Sequence, residues 1–202
     1  MKHKQVINFL RQVSIIISRC FDIYVVFPIL ILIDYFVSLS SGVISPLWPI
    51  LFFIILAVIP VTTSFYMLHS HVIKDWDISA RKDRTPYMLR GVIVLFLLLV
   101  CTIVFKAPLL FTTTATLLCI LECLYTLVTL YWKISMHAQL ITLLCIYLTV
   151  FLGKTFAFSF LLIPIVFFAR IDLKEHTLLQ LIAGSLLTTI VSLLTFALFG
   201  QL

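Results

Sequence analysis

Residues 155–200 read TFAFSFLLIPIVFFARIDLKEHTLLQLIAGSLLTTIVSLLTFALFG: two apolar runs split by the short polar insert Arg170 to His176. Uncharged runs of this kind are what a helix needs to cross a hydrocarbon layer about 30 Å thick. Ionisable groups between two such spans are costly unless they meet water or a polar cavity, which makes the insert a functional candidate. Its spacing adds chemistry. With His176 at the head of the last helix, Gln180 falls one turn further on, where its amide carbonyl can accept from an imidazole nitrogen. A cation held beside an oriented histidine suits attack on a phosphoryl group.

The rest of the chain repeats the pattern. Of 202 residues, 63% are hydrophobic and 11% charged, against about a quarter charged in soluble domains. Mean hydropathy is +1.23. The runs exceed what barrel strands require, so the expected fold is all-α: a polytopic transmembrane helical bundle forming one integral membrane domain over 1–202. Seven spans are predicted, at 21–40, 46–68, 88–106, 108–132, 138–153, 155–169 and 177–200. Residues 1–20 read as a cytoplasmic N-terminal segment. Lys2, Lys4, Arg11 and Arg19 precede the first run and no small-residue cleavage site follows it, so it is a retained span.

Three short breaks, at Ser40-Ser41-Gly42 with Pro46, Lys106 with Pro108, and Gly153-Lys154, mark one side of the membrane. Residues 1–20, the polar loop 69–87, Tyr131 to His137 and Arg170 to Glu175 then share the other side. Twelve of the fourteen Lys and Arg residues fall on that side; only Lys106 and Lys154 do not. Setting aside six cations with a possible chemical role still leaves six against two, which orients the polar side to the cytoplasm. The net charge of +6 fits anchoring and phosphate handling, and no basic-aromatic motif points to nucleic acid.

Several features read as structural. Cys20, Cys101, Cys119, Cys123 and Cys145 sit in or beside apolar segments with no disulfide framework, and Cys119 and Cys123 are small packing residues on one helix face. His69 and His71 make an H-x-H pair, and two ligands do not make a metal site. Asp34 and Glu122 fall within spans and must be paired, protonated or exposed to water. Trp76, Tyr87, Tyr131 and Trp132 fall near span ends, where amphipathic aromatics suit the membrane interface.

Three segments carry polar chemistry: Lys74 to Pro86, Lys133-Ile134-Ser135-Met136-His137, and Ala169-Arg170 through His176 to Gln180. Together they resemble the three signature motifs of the type 2 phosphatidic acid phosphatase superfamily, which includes the vanadium haloperoxidases. Those motifs read K-x6-R-P, P-S-G-H and S-R-x5-H-x3-D. The resemblance implies that Lys74 and Arg81 hold phosphate oxygens, that Ser135 donates to phosphate, and that His137 protonates the leaving alkoxide. It implies a bidentate phosphate clamp at Arg170 and a nucleophile at His176, which forms a phosphohistidine that water hydrolyses. It makes Gln180 the residue that orients His176.

The chain departs from the pattern at five points. Lys82 stands where the first motif has proline, and because Arg84 precedes Thr85-Pro86, either Lys82 or Arg84 is a further phosphate ligand. Ile134 and Met136 replace the second motif's proline and glycine, and Ala169 replaces the third's serine. Gln180 replaces aspartate: it can hold an imidazole tautomer but supplies no negative charge to an imidazolium.

The expected function is therefore a metal-independent, cofactor-free lipid phosphatase acting on a phosphomonoester or diphosphate of a bilayer lipid, either a phospholipid phosphate or a polyprenyl phosphate. Phosphoryl transfer is mostly positioning plus cationic stabilisation, which four or five Lys/Arg groups supply without a metal. Asp75, Asp77 and Asp83 beside Ala80-Arg81 frame a competing magnesium-dependent prenyl- or phosphotransferase, although residues 84–171 contain no Asp and one Glu, Glu122. A non-catalytic relative that binds lipid phosphates is the third reading.

Overall fold

A computed structural model describes residues 2–42, 45–72 and 81–202, with backbone alone for 2–7 and 81–84. The described residues are all helical, in the order α1 (Lys2–Cys20), α2 (Ile23–Ser40), α3 (Leu47–Phe53), a π-helical turn (Ile54–Val58), α4 (Ile59–His69), α5 (Arg81–Val104), α6 (Leu109–Tyr131), α7 (Met136–Phe151), a 3-10 segment (Lys154–Leu161), α8 (Leu162–Asp172) and α9 (Leu178–Leu198). Six helical stretches are long and apolar enough to cross a membrane: Asn8–Ser40, Leu47–His69, Thr85–Val104, Leu109–Tyr131, Lys154–Asp172 and Leu178–Leu198. The chain is a multi-pass integral membrane protein.

Two expectations change. The predicted span at 138–153 is the 16-residue helix α7, about 24 Å long at 1.5 Å per residue and shorter than any of those six stretches. Every residue from His137 to Tyr147 is buried, so α7 is apolar all round because protein surrounds it. The N-terminal segment is also a helix, and α5 begins at Arg81, inside the expected polar loop. Basic side chains are good helix formers when an apolar stripe accompanies them.

Local chemistry sets the helix ends. The Asp22 carboxylate accepts from the Ile23 N–H at 2.7 Å and caps α2 where it leaves α1. Ser135 is the N-cap of α7, its hydroxyl accepting from the Ala138 N–H at 3.4 Å. Gly153 follows α7 with φ +108, a conformation open to glycine alone without strain.

The chain divides into two compact units. The first comprises Met1–Val26 and Ile134–Thr189. In it α1 packs on α8, and α7 packs on both the 3-10 segment and α8. The Cys145 thiol donates to the Ser159 carbonyl at 3.1 Å. Thr142 on α7 donates to the Ser185 hydroxyl on α9 at 2.9 Å.

The second unit comprises Phe27–Lys133 and Ile190–Leu202. Its main packing is α5 on α6, with Gly91 lying against the Glu122 side chain. Asp34, fully buried, accepts from the Thr114 hydroxyl at 2.7 Å, so this intramembrane carboxyl has the partner its position demands. Phe52 and Phe111 meet edge to face at 5.0 Å, the arrangement ring quadrupoles favour.

Candidate functional site

The first unit carries Ser135, His137, Arg170, His176 and Gln180. Arg170 occupies the last turn of α8 and is fully buried. Its Nη1 donates to the Ser18 hydroxyl of α1 at 3.3 Å, and its Nη2 lies 3.9 Å from Glu175 Oε2. The backbone closes the same loop. Lys174 takes φ +58, and the Glu175 N–H reaches the Arg170 carbonyl at 3.1 Å. This tight C-terminal turn places the Glu175 carboxylate beside the guanidinium five residues earlier.

The chain then enters α9 through a capping box. Gln180 Oε1 accepts from the Thr177 N–H at 3.1 Å, while Thr177 Oγ1 accepts from the Gln180 N–H at 3.4 Å. The same Oε1 lies 3.3 Å from His176 Nδ1. A backbone N–H is an obligatory donor, so the amide atom facing it is oxygen, and an oxygen there requires Nδ1 to carry a proton. In the neutral imidazole the lone pair is then on Nε2. His176 itself is buried.

Ser135 and His137 reach this region from α7. The Ser135 N–H donates to the Gln180 carbonyl at 3.2 Å, joining the second segment to the third by a backbone bond. Gly184, one turn after Gln180, sits so close that a Cβ there would lie 2.6 Å from the Ser135 carbonyl oxygen. Ser185 donates to the Ala138 carbonyl at 3.4 Å. Ser135 and His137, at the head of α7, are both buried.

Lys74, with Asp75 and Asp77, lies outside the described residues. Arg81, Lys82, Asp83 and Arg84 form the first turn of α5 in the second unit, described as backbone alone.

Four residues of this region were not singled out from sequence. Thr177 was readable, since T-x-x-Q before an apolar run is a capping-box signature. Glu175 and Ser18 were not, because one depends on a turn with positive φ and the other on pairing across 152 positions. Gly184 carried no signal of its own.

The fold and this cluster define a multi-pass helical membrane protein with a buried arginine and an amide-oriented histidine at neighbouring helix ends. No protein-family model matches the chain, and no curated protein or solved structure matches it.

Proposed function

We propose that this protein is a metal-independent lipid phosphatase, similar in its reaction to the type 2 phosphatidic acid phosphatase superfamily, acting on a phosphomonoester or diphosphate of a membrane lipid. The observation that carries the reading is the pair formed by His176 Nδ1 and Gln180 Oε1 at 3.3 Å, which directs the imidazole lone pair to Nε2.

In the proposed reaction His176 Nε2 attacks phosphorus and the bond from phosphorus to the lipid oxygen breaks. His137 passes a proton to the departing alkoxide. Water then attacks the phosphohistidine, the P–N bond breaks, His137 takes the water's proton, and inorganic phosphate leaves. Arg170 binds equatorial oxygens as their charge grows, and Ser135 contributes a further donor. The resemblance to the family's first motif would assign the remaining cations to Lys74 and Arg81, with Lys82 or Arg84. The excess of Lys and Arg on the polar side supports a cytoplasmic-facing reaction.

The test is phosphate release by the purified protein from phosphatidic, phosphatidylglycerol phosphate and polyprenyl diphosphate lipids, in EDTA, with His176→Ala alongside. EDTA-resistant release that disappears in the variant supports the reading. Release abolished by EDTA transfers the assignment to the magnesium-dependent transferase, and no release from any lipid leaves a lipid-phosphate-binding protein.

A further inference from the structure

Helix α1 is amphipathic in an unusual sense. Among its described side chains the buried positions are Ser14 and Ser18, followed by Asp22 just past its end, spaced four apart, while Phe9 and Ile16 are 67% and 60% exposed. The apolar side faces outward, as suits contact with lipid, and the polar side faces α8. Burying hydroxyls costs free energy unless they find partners, and here both do. Ser14 donates to Asp172 Oδ2 at 2.8 Å, and Ser18 accepts from Arg170 Nη1 at 3.3 Å.

We propose that α1 is a wall of the phosphate site and that Ser18 is a positioning residue, holding the Arg170 guanidinium in the plane from which it clamps a phosphoryl group. The proposal rests on the reading of Arg170 as a phosphate ligand. Arg170 is fully buried, and a buried cation is tolerated only with well-placed partners. Its carboxylate neighbour Glu175 lies at 3.9 Å, so the Ser18 hydroxyl at 3.3 Å is the nearer of the two. Because a guanidinium is a rigid planar fork, fixing one of its nitrogens fixes the direction of the rest. Ser14 fastens the same helix one turn earlier to Asp172 and not through the guanidinium hydrogen bond, so the two serines separate packing from positioning.

The experiment measures binding of inorganic phosphate to the full chain in detergent by phosphorus NMR titration, with the melting temperature of each variant recorded. Ser18→Ala is expected to weaken phosphate binding about tenfold, the range for losing a hydrogen bond to a charged group. Ser18→Thr, which keeps the hydroxyl, is expected to restore it to within about twofold. Ser14→Ala is expected to lower the melting temperature while leaving phosphate affinity within the same margin. Arg170→Ala is expected to abolish binding.

If Arg170→Ala abolishes binding and Ser18→Ala binds like the parent, the role of Ser18 is overturned and the phosphate site stands. Equal weakening by Ser14→Ala and Ser18→Ala, or no recovery in Ser18→Thr, also overturns it. If the parent binds no phosphate, or Arg170→Ala binds as well as the parent, the phosphate-site reading falls and takes the proposal with it.

Discussion

Gly184→Ala tests whether the contact between α9 and the head of α7 matters for chemistry as well as for packing. A Cβ at this position would lie 2.6 Å from the Ser135 carbonyl oxygen and 3.6 Å from both Ser135 C and Ala138 Cβ. Ordinary contact begins near 3.4 Å, so the helix and the turn must separate by 3.4 − 2.6, or 0.8 Å. Nothing flexible absorbs this, because the obstructing atom is backbone and Ser135 N–H is itself bonded to the Gln180 carbonyl. Overpacking of this kind costs about 1–3 kcal/mol. Alanine recovers roughly 0.5–1 kcal/mol of helix propensity over glycine. The net expectation is a loss of about 1–2 kcal/mol of stability.

Activity should suffer more than stability. Displacements approaching 1 Å between groups that must meet a reacting centre cost on the order of a hundredfold in rate. Gly184→Ala is therefore expected to lower kcat for phosphate release roughly 10- to 100-fold at temperatures where the protein remains folded. Gly91→Ala is the control. Its Cβ would meet Glu122 Oε1 at 3.0 Å, the far end of a side chain that can turn aside, so both kcat and melting temperature should stay near the parent's. Unchanged kcat in Gly184→Ala, or a raised melting temperature, would show that α7 and α9 do not meet as described.

Three further outcomes are expected. Thr177→Ala removes one half of the capping box and should destabilise α9 by about 1 kcal/mol, read as a lower unfolding midpoint in denaturant with phosphate affinity unchanged. Glu175→Gln removes the carboxylate beside Arg170 and should lower KM severalfold, most clearly at low ionic strength; a raised KM would mean that Glu175 orients the arginine instead of competing with the substrate. Gln180→Glu keeps the T-x-x-E form of the cap and places a negative charge against His176, so kcat should rise; an unchanged kcat would remove imidazolium stabilisation from the rate-determining step.

The six membrane-crossing stretches were legible because a bilayer imposes a length and a composition that any sequence must display. The shortness of α7 was not, since burial by surrounding protein and burial by lipid leave the same apolar signature in residues 138–151. The pairing of His176 with Gln180 was readable from their four-residue spacing at the start of the last helix, although His176 stands just before the capping residue Thr177 and α9 itself begins at Leu178. Ser18 was not, because a serine in a basic N-terminal stretch acquires meaning only when α1 packs on α8 and meets Arg170. Local periodicity encodes contacts within a helix; contacts between helices far apart in sequence leave no comparable mark.

Gln180 gains its sense from the charges around it. Oε1 accepts from both Thr177 N–H and His176 Nδ1, and a carboxylate oxygen would accept equally well at both. What glutamine changes is charge. In the stretch 170–180, Arg170 and Lys174 are offset by Asp172 and Glu175, so the stretch is neutral with Gln180 and would be −1 with an acid there. A phosphate ester arrives as an anion, and each fixed negative charge opposes its entry. In the proposed reaction glutamine would thus favour substrate binding at the expense of the imidazolium formed on attack, whereas an acid would do the reverse. Gln180→Glu should accordingly raise KM as it raises kcat, and combining it with Glu175→Gln, which returns the stretch to neutrality, should keep the gain in kcat while bringing KM back down.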